Sequence, residues 1–222
     1  MALSLQVLDV GRMGYQRALD LQFELVARRE AEEVTDSLVL VEHPPVITMG
    51  KSGKETDILA DAKTLSDLGV QVFRINRGGE VTYHGPGQIV GYLIINLYNH
   101  QRKLKKFVDN LEEVFIELLT DDYGIDARHD AGHRGVWVGD EKITAVGIAV
   151  KRSVTMHGFA FNVNTNLDHF RWIVPCGIQD RGQTSLQKLL GREVDMDEVK
   201  SRLVRRFCGI FGYETPPGYL QP

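Results

Sequence analysis

The chain holds two cysteines, and their surroundings differ. Cys176 lies in Arg171-Trp172-Ile173-Val174-Pro175-Cys176-Gly177-Ile178, where an apolar run delivers the thiol between a proline and a glycine. No helical or strand period accounts for that placement. Cys208 falls in Arg205-Arg206-Phe207-Cys208-Gly209-Ile210, inside a helical pattern where packing explains it. A nucleophilic cysteine reacts as its thiolate, which a nearby cation or backbone N–H groups must stabilise. Lys142 is the candidate cation. Alone it reads as a solvated residue at a hairpin turn. Strict strand alternation would instead place it on the bulky apolar face of Val146, Ile148 and Val150, with Ala145, Gly147 and Ala149 opposite. A lysine on such a face is desolvated, which favours the neutral amine and lets it act as a base.

Two further stretches could carry chemistry. Arg77-Gly78-Gly79-Glu80-Val81-Thr82-Tyr83-His84-Gly85-Pro86-Gly87-Gln88 packs four glycines and a proline between two strand patterns. Glycine at that density lets backbone approach a ligand closely, with Arg77 and His84 adding polar function. The stretch matches neither the dinucleotide fingerprint nor the phosphate-binding loop, and a hairpin with two tight turns is the plain alternative. His157-Gly158-Phe159-Ala160-Phe161-Asn162 puts a histidine among small and aromatic residues, where a structural imidazole is the ordinary outcome. Seven histidines without an HExxH pattern and two remote cysteines argue against metal catalysis.

The elements that must position these residues follow from periodicity. Val7–Val10 reads as a strand, and Tyr15–Arg29 as a helix with Leu19, Phe23 and Val26 inward. Ser37–Val41 is a buried strand stopped by His43-Pro44-Pro45, and Val46–Gly50 resumes an extended segment before a polar loop from Lys51 to Thr56. Ile58–Leu68 is a weaker helix closed by Gly69, and Val70–Ile75 and Ile89–Leu97 are strands. The strongest helix runs from Leu104 to Leu119. Gly135–Val138 and Ile143–Val150 form a hairpin across a four-residue connection, Gly139–Lys142. Thr155–Val163 is a strand, Thr184–Leu190 a short helix, and Asp195 opens a last helix through Phe207. The interleaving lacks a regular βαβ cadence, so the expected class is α+β, with a mixed, largely antiparallel sheet and surrounding helices. No linker divides the chain, and one domain over residues 1–222 is expected.

Composition bounds the function classes. Of 222 residues, 43% are hydrophobic and 25% charged, ordinary for a globular protein, and the net charge of −4 provides no global basic field for nucleic acid or membrane. Cysteine usage fits a reducing compartment. With no signal-peptide pattern at Met1–Leu5 and no apolar run near ~20 residues, a cytoplasmic location is expected.

Taken in order, Arg77–Gln88, Gly135-Val136-Trp137, Lys142-Ile143-Thr144-Ala145-Val146-Gly147-Ile148, His157-Gly158-Phe159-Ala160 and Ile173–Ile178 closely resemble the octanoyltransferases of lipoate biosynthesis. Glu42–Pro45, Arg181 and Thr184-Ser185-Leu186 also fit, so the resemblance spans about Leu5 to Phe211. It implies a fold like that of biotin and lipoate protein ligases. It also implies transfer of an octanoyl group from acyl carrier protein to a lysine of a lipoyl domain. The acceptors would be the lipoyl domains of 2-oxoacid dehydrogenase complexes and the glycine cleavage H protein. By motif match the thioester-forming cysteine is Cys176 and the essential lysine Lys142. Substrate contacts fall on Arg77, Gly78, Gly79, Glu80, Val81, Thr82, Tyr83 and His84, on Ala145, Val146 and Gly147, and on Gly158, Phe159 and Ala160. Glu80 occupies a variable position and carries no weight. No cofactor, ATP included, is implied, because thioester exchange is nearly balanced and amide formation is downhill. Backbone N–H groups around Cys176 and Gly177 are expected oxyanion donors.

Three other readings compete. An ATP-dependent ligase of the same fold would need no cysteine. A cysteine hydrolase would pair Cys176 with His84 or His157, and a binding module would not depend on the thiol at all.

Overall fold

The structure is a computed structural model and describes residues 3–100, 102–175 and 181–220, so Cys176 and Gly177 lie outside the described residues. In chain order the first strands are β1 (Leu5–Arg12), β2 (Asp36–Glu42), β3 (Val46–Met49), β4 (Gln71–Arg74), β5 (Val81–His84) and β6 (Gln88–Ile94). The rest are β7 (Arg128–His129), β8 (Val136–Val138), β9 (Glu141–Lys151), β10 (Val154–Asn162) and β11 (Gly182–Gln183). The helices are α1 (Tyr15–Glu30), α2 (Ala62–Asp67), α3 (Leu104–Glu117), α4 (Leu186–Leu190) and α5 (Met196–Phe211).

Strand β2 is apolar at successive positions, and a strand of that kind must be covered on both faces. Its alternation sorts two cores. Leu38 and Leu40 join Ile89, Leu93, Phe159 and Phe161 beneath α3 and α5, while Val39 and Val41 join Val90, Tyr92 and Ala160 beneath α1. The large sheet runs β1-β2-β6-β10-β9-β8-β7, with β11 on β9. Only β1–β2 and β9–β11 are parallel in it. A three-stranded sheet, β4-β3-β5, has its own core with Leu65 of α2 and Phe170 and Ile173. The class is α+β with mixed sheets, as the sequence indicates. No helix among the described residues is long and apolar enough to cross a membrane.

Several local expectations need correction. Phe23 is 46% exposed; the inward face of α1 is Tyr15, Ala18, Gln22, Leu25 and Val26. Helix α2 starts only at Ala62, because the Asp61 side chain accepts from Thr64 N at 2.8 Å and caps it there. Helix α5 runs on past Phe207 to Phe211 and ends at Gly212 with φ +74°. The hairpin connection is Gly139-Asp140 alone, which places Lys142 inside β9 rather than in the turn.

One buried charge ties three parts of the fold together. The Asp36 carboxylate accepts from Arg29 Nε, Asn96 N and the Tyr213 hydroxyl, each at 2.8 Å. With Asp36 only 2% exposed, removing it strands the Arg29 guanidinium. Asp36→Ala is expected to lower stability by about 3–5 kcal/mol in urea denaturation. A loss below about 1 kcal/mol would show that the network contributes little.

Candidate active site

Strands β9 and β10 carry the small residues that open a slot in the face beneath α1. Ala145 pairs with Ala160 and Gly147 with Gly158, and β6 continues the two rows with Val90 and Tyr92. The glycine-rich turn after β4 lies directly on this surface: Gly78 N donates to Ile148 O at 3.1 Å. A Cβ on Gly147 would stand 3.0 Å from both Arg77 Cδ and Gly78 O, so glycine is what allows the two layers to approach. The resulting pocket is lined by Arg77, Gly79, Glu80, Thr82 and His84 from one side. Ala145, Val146, Gly147, Gly158, Phe159 and Ala160 line the other.

Gly78, Val81 and Tyr83 are not in that lining. In β5 the side chains alternate, so Val81 and Tyr83 turn to the small core, where the Tyr83 hydroxyl meets His169 Nδ1 at 2.7 Å. Among the described residues, Tyr15, Val90, Tyr92 and His157 also line the pocket. The sequence places Val90 and Tyr92 in an apolar strand, and the pairing of β6 with β10 reveals that they floor a cavity.

Arg77, His84 and His157 at the pocket each have protein partners. Arg77 donates through Nη2 to Thr48 O at 2.8 Å and through Nη1 to Gly78 O at 3.0 Å. His84 Nδ1 lies 2.8 Å from Gln88 Oε1, and Gln88 Nε2 donates to Asn162 Oδ1 at 2.9 Å. His157 has φ +59°, a left-handed conformation unusual for a residue with a side chain in a strand. Its N–H donates to Gln22 Oε1 at 2.8 Å and its Nε2 lies 2.7 Å from Asn76 Oδ1, which hold the strained residue in place.

Both imidazoles are neutral at physiological pH. Burial pushes His84 down to about 3, helped by the neighbouring His43 ring and Arg77. Burial and then Arg77 push His157 down to about 4. The unfolded chain, with histidines near 6.5, therefore binds protons that the folded chain refuses. That stabilisation is complete above about pH 6.5 and is lost as pH falls toward 4, at up to about 1.4 kcal/mol per pH unit for each histidine. Urea denaturation between pH 7 and 5 should show this loss, and His157→Gln should flatten it. A slope unchanged by that substitution would contradict a neutral buried His157.

Lys142 is 2% exposed. Its position depends on a β-bulge. Val136 pairs with Thr144 but Trp137 pairs with Lys142, so β9 carries an extra residue at Ile143 and its alternation reverses there. Thr144 and Val146 share the face of Phe161 and Phe159, toward α3. Lys142 takes the opposite face with its partner Trp137, its Nζ 4.9 Å from the indole centroid. The expected companions Val146, Ile148 and Val150 are thus on the wrong face, and Lys142 belongs with Ala145 and Gly147. Its backbone pairs with Gln183 of β11, and Thr184 N donates to Lys142 O at 3.0 Å.

A second cleft adjoins this strand. Pro175 and Arg181, the described residues on either side of 176–180, both line it together with Gly182 and Gln183. The approach through Arg171–Val174 is tied to the chain near Ile58: Leu59 N donates to Trp172 O and Val174 N to Asp57 O, both at 2.7 Å. Cys208 is fully buried in the core under α3 and α5. Among the described residues no group of three or more His, Cys, Asp and Glu is arranged to hold a metal ion.

Comparison with known proteins agrees at the level of the whole chain. The lipoyl protein ligase A/B catalytic domain model matches residues 14–208. An octanoyltransferase of Caldicellulosiruptor saccharolyticus is 54% identical, covering 95% of this chain and 90% of the relative. Another, of Alkaliphilus metalliredigens, is 50% identical over 95% and 96%. The bipartite lipoate protein ligase of Thermoplasma acidophilum, solved in a study that includes its E2 lipoyl domain, superposes with a TM-score of 0.72. That likeness, at 16% identity over 96% of this chain and 86% of the other, is one of fold. With an apolar slot on a lipoate-ligase-like sheet and relatives at this identity, the chain belongs to the octanoyltransferases of the lipoyl protein ligase A/B catalytic family.

Proposed function

We propose that the chain, acting as one catalytic domain over residues 1–222 in the cytoplasm, moves an octanoyl group from acyl carrier protein to a lipoyl-domain lysine. The acyl group passes through a thioester on Cys176, with Lys142 as acid and base. The observation that carries this reading is the burial of Lys142 on the same strand face as the Ala145/Gly147 slot. An amine there is next to the place where an acyl chain would lie, on rigid backbone and out of bulk water.

The steps balance as follows. Neutral Lys142 takes the Cys176 proton, and the thiolate adds to the donor carbonyl. The pantetheine thiolate leaves and is protonated by the Lys142 ammonium, giving the acyl-enzyme and neutral lysine. The acceptor amine then adds to the thioester, and Lys142 accepts the proton released as the C–N bond forms. Cys176 departs as thiolate and recovers that proton. The slot's small residues would hold the straight alkyl chain, with the glycine-rich turn at Arg77–Glu80 as its lid. The neutral His84 and His157 order the walls and are not the base.

The lipoyl domains of 2-oxoacid dehydrogenase complexes and the glycine cleavage H protein are the acceptors this reading names. It also requires no nucleotide. Octanoyl carrier protein, purified enzyme and a lipoyl domain should yield octanoylated domain in the absence of ATP, read by intact mass. Strict ATP dependence with octanoate-driven ATP–pyrophosphate exchange would make the chain a ligase instead.

A further inference from the structure

Helix α3 faces the core with Phe107, Leu111, Val114 and Phe115, yet one turn of that buried side is a carboxylate, Glu112, only 2% exposed. A charge is rarely placed there unless its hydrogen bonds are specified. Those of Glu112 are directed at β7 and the loop that follows it. Its Oε1 accepts from Gly135 N at 2.7 Å, while Oε2 meets His129 Nδ1 at 3.0 Å and Arg134 Nη1 at 3.2 Å. Gly135 has φ +113°, and a Cβ on it would sit 3.3 Å and 3.4 Å from Lys142 Cδ and Cε. The Gly135 backbone is therefore the wall against which the lysine stem lies. Trp137, two residues on, supplies the ring beside the Lys142 amine, and its Nε1 donates back to His133 O at 3.3 Å.

We propose that Glu112 is a positioning residue for Lys142, acting through the Glu112–Gly135 hydrogen bond that presses the loop onto the lysine stem. The requirement is for reach: an acceptor at the end of a glutamate-length side chain. Its charge is secondary. The inference rests on the reading of Lys142 as acid and base only where turnover is measured; the placement of the amine is measured separately.

The test compares Glu112→Asp, which keeps the charge and loses one methylene, with Glu112→Gln, which keeps the length and loses the charge. Competitive acetylation by acetic anhydride, read by peptide mass spectrometry, reports the accessibility of Lys142 against exposed lysines of the same molecule. E112D should raise labelling of Lys142 at least about threefold and lower kcat about 10- to 100-fold with KM for the carrier unchanged, the scale on which a displacement near 1 Å acts. E112Q should stay within about twofold of wild type in both measurements. Wild-type labelling in E112D, or an E112Q variant as impaired as E112D, would overturn the proposal. Raised labelling in E112D with kcat intact would leave the positioning in place and sink the catalytic reading of Lys142. Should E112D fail to fold, Arg134→Ala decides: it removes the Arg134 ion pair on Oε2 and leaves Oε1 on Gly135. It should keep kcat within about twofold, and a tenfold loss would assign the effect to the ion pair and overturn the proposal.

Discussion

Lys142→Arg is expected to fold and yet lose octanoyl transfer by about 10²- to 10⁴-fold, the usual contribution of a positioned acid–base group. The substitution keeps a cation within reach of Trp137, so simple charge stabilisation would survive it. A guanidinium cannot release its proton near neutral pH, so both proton transfers of the proposed cycle stop. The larger planar head must also enter a site where the lysine is 2% exposed, against the Gly135 backbone. A melting temperature measured beside the rate separates that packing cost from the chemical one. Wild-type turnover in a folded Lys142→Arg enzyme would remove Lys142 from the mechanism.

The second large effect is that of Cys176→Ser. A hydroxyl is far less acidic than a thiol, and an oxygen ester is a poorer acyl donor to an amine than a thioester. Loss of a nucleophile that works as a unit with its base costs on the order of 10⁶-fold in serine hydrolases, and a comparable collapse is expected here. Cys208→Ala is the control. Burial raises the Cys208 thiol to about 11, so it is protonated at neutral pH, and its side chain fills the core. That variant should lose stability and keep transfer activity. Retained transfer in Cys176→Ser together with loss in Cys208→Ala would reverse the assignment.

Much of this site was legible in the sequence because short motifs encode local backbone needs. The glycines of Arg77–Gln88 signalled close approach, and Gly78 does lie on β9. The strand period placed Leu38 to Val41 correctly as a buried strand and Ile143 to Val150 within a strand. What the period could not show was the extra residue at Ile143. A β-bulge has no composition of its own, and it reversed the face of Lys142, the residue for which facing mattered most. Strand β5 was also hidden, since the glycine-rich stretch Arg77–Gln88 reads as a ligand-binding segment or a hairpin with two tight turns until β3 pairs with Val81–His84. Gln22 and Glu112 were missed for a different reason. Each is a polar residue on a helix face that is apolar elsewhere, and its partner lies far along the chain, at His157 for one and Gly135 for the other.

The central claim is the covalent intermediate. Purified enzyme should be mixed with octanoyl carrier protein, digested and analysed by mass spectrometry, with a lipoyl domain then added to a parallel sample. One octanoyl group should appear on the peptide containing Cys176 and leave it when the lipoyl domain is added, reappearing on the acceptor lysine. An octanoyl group on Cys208, or transfer to the lipoyl domain at full rate with no acyl-enzyme formed, would contradict it.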